Sequence, residues 1–276
     1  MNPVTALFSN PFLQMALFSG VLASIAGGIV GSYVVIKRIV FISGSIAHSV
    51  LGGMGLALFL QYKFNLPWLS PIYGAFVFAI LSALLIGWIH LRFKEREDTV
   101  IAALWASGMA LGVLLISLTP GSNPDLLNFL FGNILWTSHA DVLLLIAADA
   151  IIVISVLAFH RKLLLVCFDE DQAKLQKIPT QRLYLYLLCL VALTTVLLIQ
   201  VVGAVLVIAM LSLPAAIANR LTYNLPRLMI TACILGIAFT AIGLVASYAY
   251  NWPPGATIAL TATLAYLASL SIKNSK

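Results

Sequence analysis

The chain has 276 residues, of which 62% are hydrophobic and 9% charged, and its mean hydropathy is +1.07. A soluble domain covers its surface with roughly 25% charged residues, so this composition excludes a soluble globular fold and requires a polytopic membrane protein. The formal charge of +6 would suggest nucleic acid in a soluble protein. Here the positive-inside rule accounts for it, and no nucleic-acid partner is expected.

A helix needs about 20 mostly apolar residues to cross the bilayer core. Nine segments qualify or nearly do so: roughly 11–36, 43–61, 68–91, 98–118, 138–160, 182–200, 202–219, 227–250 and 255–272. The expected fold is an all-α membrane helix bundle of about 8–9 transmembrane segments, one domain over residues 1–276. The second and seventh segments are short, and each is compatible with a tilted or broken helix. The first Lys or Arg is Lys37, so a cleavable signal peptide with a basic start is not expected. With the N-terminus outside, fourteen of the fifteen Lys and Arg residues fall in inner loops and Lys63 alone falls outside. That bias predicts an N-out, C-in orientation and nine crossings.

The second segment reads Ser43-Gly-Ser-Ile-Ala-His48-Ser-Val-Leu-Gly-Gly-Met-Gly55. On a helix, His48 shares a face with Gly44, Ser45, Gly52 and Gly55. A face with so little volume lets helix backbones approach closely inside a membrane. An ionisable group there points into protein or a pathway, because facing lipid is costly. Two readings remain at this point: a hydrogen bond to a neighbouring backbone, or a ligand.

The outer loops carry Trp68, Trp136 and Trp252, which suit an interfacial belt. The inner loop after the third segment ends at Asp98, a natural N-cap for the fourth. Asp149 lies within the apolar fifth segment. A carboxylate at that depth costs roughly 3 kcal/mol or more unless paired or wet. It is read either as a pathway group or as a structural hydrogen bond to a neighbouring helix.

The inner stretch 161–182 places Asp169, Glu170 and Asp171 ahead of Lys174 and Lys177, with Pro179 after them. Acids at the start and bases at the end suit the helix macrodipole, and proline limits the helix. This predicts a short cytoplasmic helix of about two turns. It would lie either on lipid headgroups or against a cytoplasmic partner. Farther on, Pro214 in Leu213-Pro-Ala-Ala-Ile-Ala218 predicts a kinked or broken seventh segment. Such helices line cavities in transporters as often as they merely pack.

Several chemistries are missing. The sequence has no G-x-x-x-x-G-K-[ST] phosphate loop and no H-E-x-x-H motif. No catalytic triad has a plausible setting, so an enzyme is not expected, and no bound cofactor is expected. His90, His139 and His160 fall near segment ends and read as interfacial. Cys167, Cys189 and Cys233 form no C-x-x-C pair and read as small packing residues.

Several stretches carry a family resemblance. They are Gly31-Ser-Tyr-Val-Val-Ile-Lys-Arg38, Ile46-Ala-His48-Ser-Val-Leu-Gly-Gly53, Asp98-Thr, Ala110-Leu-Gly-Val and Asp125-Leu-Leu-Asn-Phe-Leu-Phe-Gly132-Asn-Ile-Leu. Phe168-Asp-Glu-Asp-Gln-Ala173, Val202-Gly-Ala-Val-Leu-Val, Leu213-Pro-Ala-Ala-Ile-Ala218 and Pro254-Gly-Ala256 complete the series. In order and spacing they resemble the permease subunits of bacterial zinc, manganese and iron ABC importers, a type II-like permease fold, over nearly the whole chain. The resemblance implies a homodimer in the bacterial plasma (inner) membrane. It also implies two copies of a separate cytoplasmic ATPase and an extracellular or periplasmic metal-binding protein that delivers the cargo. It assigns ATPase coupling to the segment at about 161–181, with Phe168, Asp169, Glu170, Asp171 and Ala173 at its centre. It favours the docking reading of that helix, and it puts His48 on the family's most recognisable motif.

The sequence departs from the family twice. The Asp usual four residues before the His is Gly44 here. An imidazole without that carboxylate suits Zn²⁺ better than Mn²⁺, so zinc is the favoured cargo, with manganese and iron as the alternatives. Asp149 is the substitute carboxylate to test, and His48 and Asp149 are the expected transient metal contacts. The second departure is Lys177, where the family usually has Gly; a left-handed turn there is disfavoured, leaving the helix end open. An ion-coupled secondary transporter and a siderophore-type ABC permease are the competing functions. A scaffold without transport fits the glycine-lined His48 face poorly.

Overall fold

The computed structural model describes residues 10–93, 97–120, 132, 134, 138–204 and 207–271. Most of the Asp125–Leu135 motif lies outside the described residues, as do Lys94, Arg96, Trp136, Lys273 and Lys276. The described residues form ten helices and no strand. They are α1 (Pro11–Lys37), α2 (Val40–Phe64), α3 (Pro71–Phe93), α4 (Glu97–Ser117), α5 (His139–Phe168), α6 (Glu170–Leu175), α7 (Thr180–Val202), α8 (Val207–Leu221), α9 (Leu225–Tyr250) and α10 (Pro254–Leu270). Seven of them are long and apolar enough to cross a membrane.

The second predicted segment is a continuous helix of 25 residues, neither short nor broken. The seventh is short as expected, α8 having 15 residues; the ninth, α10, has 17. At 1.5 Å per residue these reach about 22 and 26 Å, under the ~30 Å bilayer core. α5 overruns its predicted end and carries Arg161 and Lys162 with it. His160 is therefore well inside a helix, because the Leu163–Val166 run continues the apolar pattern. Asp98 sits in the first turn of α4, not at its N-cap, where its charge still suits the helix dipole.

Helix ends follow local chemistry. Asn10 caps α1 by accepting from the Phe12 amide at 3.0 Å, with Pro11 at the first helical position. Asn65 and Asn251 close α2 and α9 in the left-handed region that asparagine tolerates.

The chain divides into two compact units. Unit 1 comprises Met1–Arg38, Leu126–Ala158 and Leu197–Lys276. Within it α1 packs on α8 and α9, and α10 packs on both of those. The contacts run backbone to backbone: a Cβ at Gly28 would meet the Cys233 amide nitrogen at 2.6 Å, and one at Gly243 would meet Ile258 Cα at 2.6 Å. Pro214 lies inside α8 and cannot donate to the Met210 carbonyl. That carbonyl stands beside Gly27. Gly132 and Gly203, from two of the family-like stretches, also meet here, both at positive φ (73° and 86°). A Cβ on Gly132 would sit 2.6 Å from the Gly203 nitrogen, so at Gly132 neither the backbone angle nor the space admits another residue.

Unit 2 comprises Ile39–Asp125 and Phe159–Val196. In it α2 packs on both α3 and α4. Gly53 and Gly74 bring the α2 and α3 backbones together, while Gly52 and Gly55 bring α2 against Gly108 and Gly112 of α4.

Candidate functional site

The His48 face of α2 is the face that packs on α4. Gly44, Ser45, Gly52 and Gly55 are buried, and His48 is half-buried. Ser45 donates its hydroxyl to the Ile101 carbonyl of α4 at 3.0 Å. One turn along α2, the His48 ring stacks on Trp105 with centroids 4.2 Å apart and planes 16° from parallel. Beyond it, a Cβ at Gly52 would touch the Gly108 carbonyl at 3.0 Å, and one at Gly55 the Gly112 carbonyl at 2.8 Å. On the flank, the Ser49 and Ser82 hydroxyls are 2.8 Å apart and tie α2 to α3.

These pairings ascend both helices together, so α2 and α4 run parallel. On α4 they fall at Ile101, Trp105, Gly108 and Gly112, spacings of four, three and four. The small-residue face thus does what the sequence suggested: it removes volume so two backbones can meet. Trp105 is the residue that sequence reasoning missed. The available signal was the Gly108-x-x-x-Gly112 pair one turn after it, which matches the Gly52 and Gly55 spacing closely enough to nominate α4 as the partner.

Asp149 lies in α5 within unit 1 and is 7% exposed. Among the described residues neither of its carboxylate oxygens has a hydrogen-bond partner. The structural hydrogen bond considered for it is therefore not formed by any described group. His48 belongs to unit 2. Among the described residues no three His, Cys, Asp or Glu side chains gather into a metal-holding group.

The stretch between α5 and α7 forms α6. Asp169 caps it, accepting from the Gln172 amide at 2.9 Å. Lys174 pairs with Glu170 and Asp171, both at 3.3 Å, and the hydrogen bonds to Asp171 and then Glu170 hold its ammonium above the usual lysine range. Contrary to expectation, Lys177 adopts the left-handed conformation, at φ 57°. Its amide bonds the Lys174 carbonyl at 2.9 Å, and the next amide, Ile178, bonds the Ala173 carbonyl at 3.0 Å. That paired closure satisfies the last carbonyls of the helix and outweighs the steric cost of a non-glycine residue. Phe168 and Leu175 are exposed at 62% and 84%, whereas Ala173 is fully buried beneath the helix.

Seven membrane-length helices, two shorter apolar ones and a short capped helix between α5 and α7 define a polytopic membrane protein. The model of the ABC 3 transport family matches residues 9–273, and the chain belongs to that family. A "Probable metal transport system membrane protein" of Chlamydia muridarum is 47% identical over 277 residues, covering 100% of this chain and 94% of the relative. The "Manganese transport system membrane protein MntC" of Listeria monocytogenes is 34% identical over 261 residues, 94% of this chain and 90% of that one. Among solved structures, PsaBC from Streptococcus pneumoniae in complex with Fab superposes with a TM-score of 0.85 at 31% identity, covering 97% of this chain and 94% of that chain.

Proposed function

We propose that this chain is the membrane permease subunit of an ATP-driven importer of divalent transition metal ions. The observation that carries the reading is the family match over nearly the whole chain, joined to relatives named for metal and manganese transport. The permease works as a homodimer in the bacterial inner membrane, with its N-terminus outside and its C-terminus inside. Two copies of a cytoplasmic ATPase drive it, and an external metal-binding protein loads it. Fourteen of fifteen basic residues on the inner side support that orientation.

α6 is the coupling helix. Phe168 and Leu175 present apolar side chains to the ATPase, Asp169, Glu170 and Asp171 surround them with charge, and Ala173 seats the helix on the permease. Closure of the ATPase pair pushes on α6 and turns the permease from outward- to inward-facing.

His48 and Asp149 act as transient contacts for the metal. His48 offers an imidazole on a face otherwise made of glycine and serine. Asp149 offers a buried carboxylate that no described protein group engages. Two observations bear on the metal. The names of the MntC relatives support manganese, while an imidazole with Gly44 in place of a carboxylate supports zinc.

The test is ATP-dependent uptake of radioactive zinc, manganese and iron into vesicles holding the full complex. Uptake should require ATP, which separates this reading from an ion-coupled transporter. His48→Ala and Asp149→Asn should each slow it. Native uptake in His48→Ala removes His48 from the pathway, and native uptake in Asp149→Asn removes Asp149.

A further inference from the structure

We propose that Trp105 is a positioning residue for His48: the indole holds the imidazole plane so that its ring nitrogens face the passing metal ion. The inference rests on the reading of His48 as a metal contact and adds the group that makes that contact effective.

A metal-binding histidine is ordinarily oriented by a hydrogen bond from its second ring nitrogen to a carboxylate or carbonyl. Among the described residues His48 has no such partner; what holds its ring is the Trp105 stack, at 4.2 Å and 16°. A stack fixes the ring plane without engaging either ring nitrogen. The interaction also responds to the metal. Coordination draws electron density from the imidazole, and the negative face of an indole favours a ring that has gained positive character. Trp105 therefore binds the metal-loaded histidine more strongly than the empty one.

The seam shows why the pair forms where it does. Gly52 with Gly108, and Gly55 with Gly112, leave no room for side chains between the two backbones. On the other side of the pair, Ser45 is bonded to the Ile101 carbonyl. Trp105 is the one bulky ring in this line of contacts. The glycine approaches and the serine bond set its register against His48 from either side.

The experiment uses the full complex in proteoliposomes and measures ATP-driven uptake of radioactive zinc and manganese. Trp105→Met keeps apolar bulk but has no ring, whereas Trp105→Phe keeps a ring. The Met variant should slow uptake about 3- to 10-fold, the range a cation–aromatic contact commands, and the Phe variant should stay within about 2-fold of native. In a His48→Ala background, Trp105→Met should have no further effect, because Trp105 acts through His48. Native uptake in Trp105→Met, equal losses in Met and Phe, or additive losses in the double variant would overturn the proposal in favour of plain packing. If the Met variant does not assemble, Trp105→Leu and Trp105→Tyr supply the same comparison. Native uptake in His48→Ala overturns the metal-contact reading itself; slowed uptake there with native uptake in Trp105→Met overturns only the role of Trp105.

Discussion

Gly112→Ala places one methyl group in the α2–α4 seam, two turns from Trp105. The new Cβ would stand 2.7 Å from the carbonyl carbon, the oxygen and Cγ of Leu51, two of them backbone atoms that cannot swing aside. Ordinary contact begins at 3.4 Å, so the helices must part by about 0.7 Å. A gap of that size forfeits about a quarter to a half of each dispersion contact along the seam, and in a membrane no hydrophobic drive restores it. Overpacking of this kind costs about 1–3 kcal/mol. At roughly 2–4 °C per kcal/mol for a chain of this size, the detergent-solubilised complex should melt about 2–12 °C lower. Gly27→Ala is the matched control: its Cβ would meet Leu198 methyls at 3.6 Å, which is ordinary contact. Alanine also favours helix over glycine by about 1 kcal/mol, so that variant should melt at or above the native temperature. Thermal denaturation of the two proteins side by side is the assay. If Gly112→Ala melts within about 1 °C of native, the seam is slack and the reasoning from close approach fails.

Three further outcomes follow from α6 and the residues flanking it. Lys177→Gly relieves a left-handed non-glycine residue and should raise hydrogen-exchange protection of the Ile178 amide about 2- to 5-fold; unchanged or lower protection would mean the turn is unstrained. Phe168→Ser with Leu175→Ser removes two exposed side chains, so the permease should melt as before while retention of its ATPase drops about 10-fold or more. Undiminished ATPase retention in a pull-down would move the coupling contact away from these two residues. Ala173→Leu should behave oppositely and lower the melting temperature, because that site is fully buried.

Helix number, order and approximate limits were legible in the residues because each depends on local facts. A bilayer imposes a length and an apolarity on every crossing segment, and basic residues mark the inner side. The acidic start of α6 at Asp169 and the short α8 could be read for the same reason. The glycine face around His48 was legible as a surface in want of a close partner. The partner was not legible: Ile101, Trp105, Gly108 and Gly112 lie more than fifty residues away, and their register against α2 arises only when two backbones meet. Lys177 misled because a steric preference weighed one residue alone, while the fold sets it against two closing hydrogen bonds. Gly132 likewise required the fold, since the space for a side chain there is taken by the Val202–Gly203 backbone from far along the chain. Composition and hydropathy act along the chain and announce themselves in it; the stack on His48 and the glycine contacts act across the chain, and they exist only once the helices are packed.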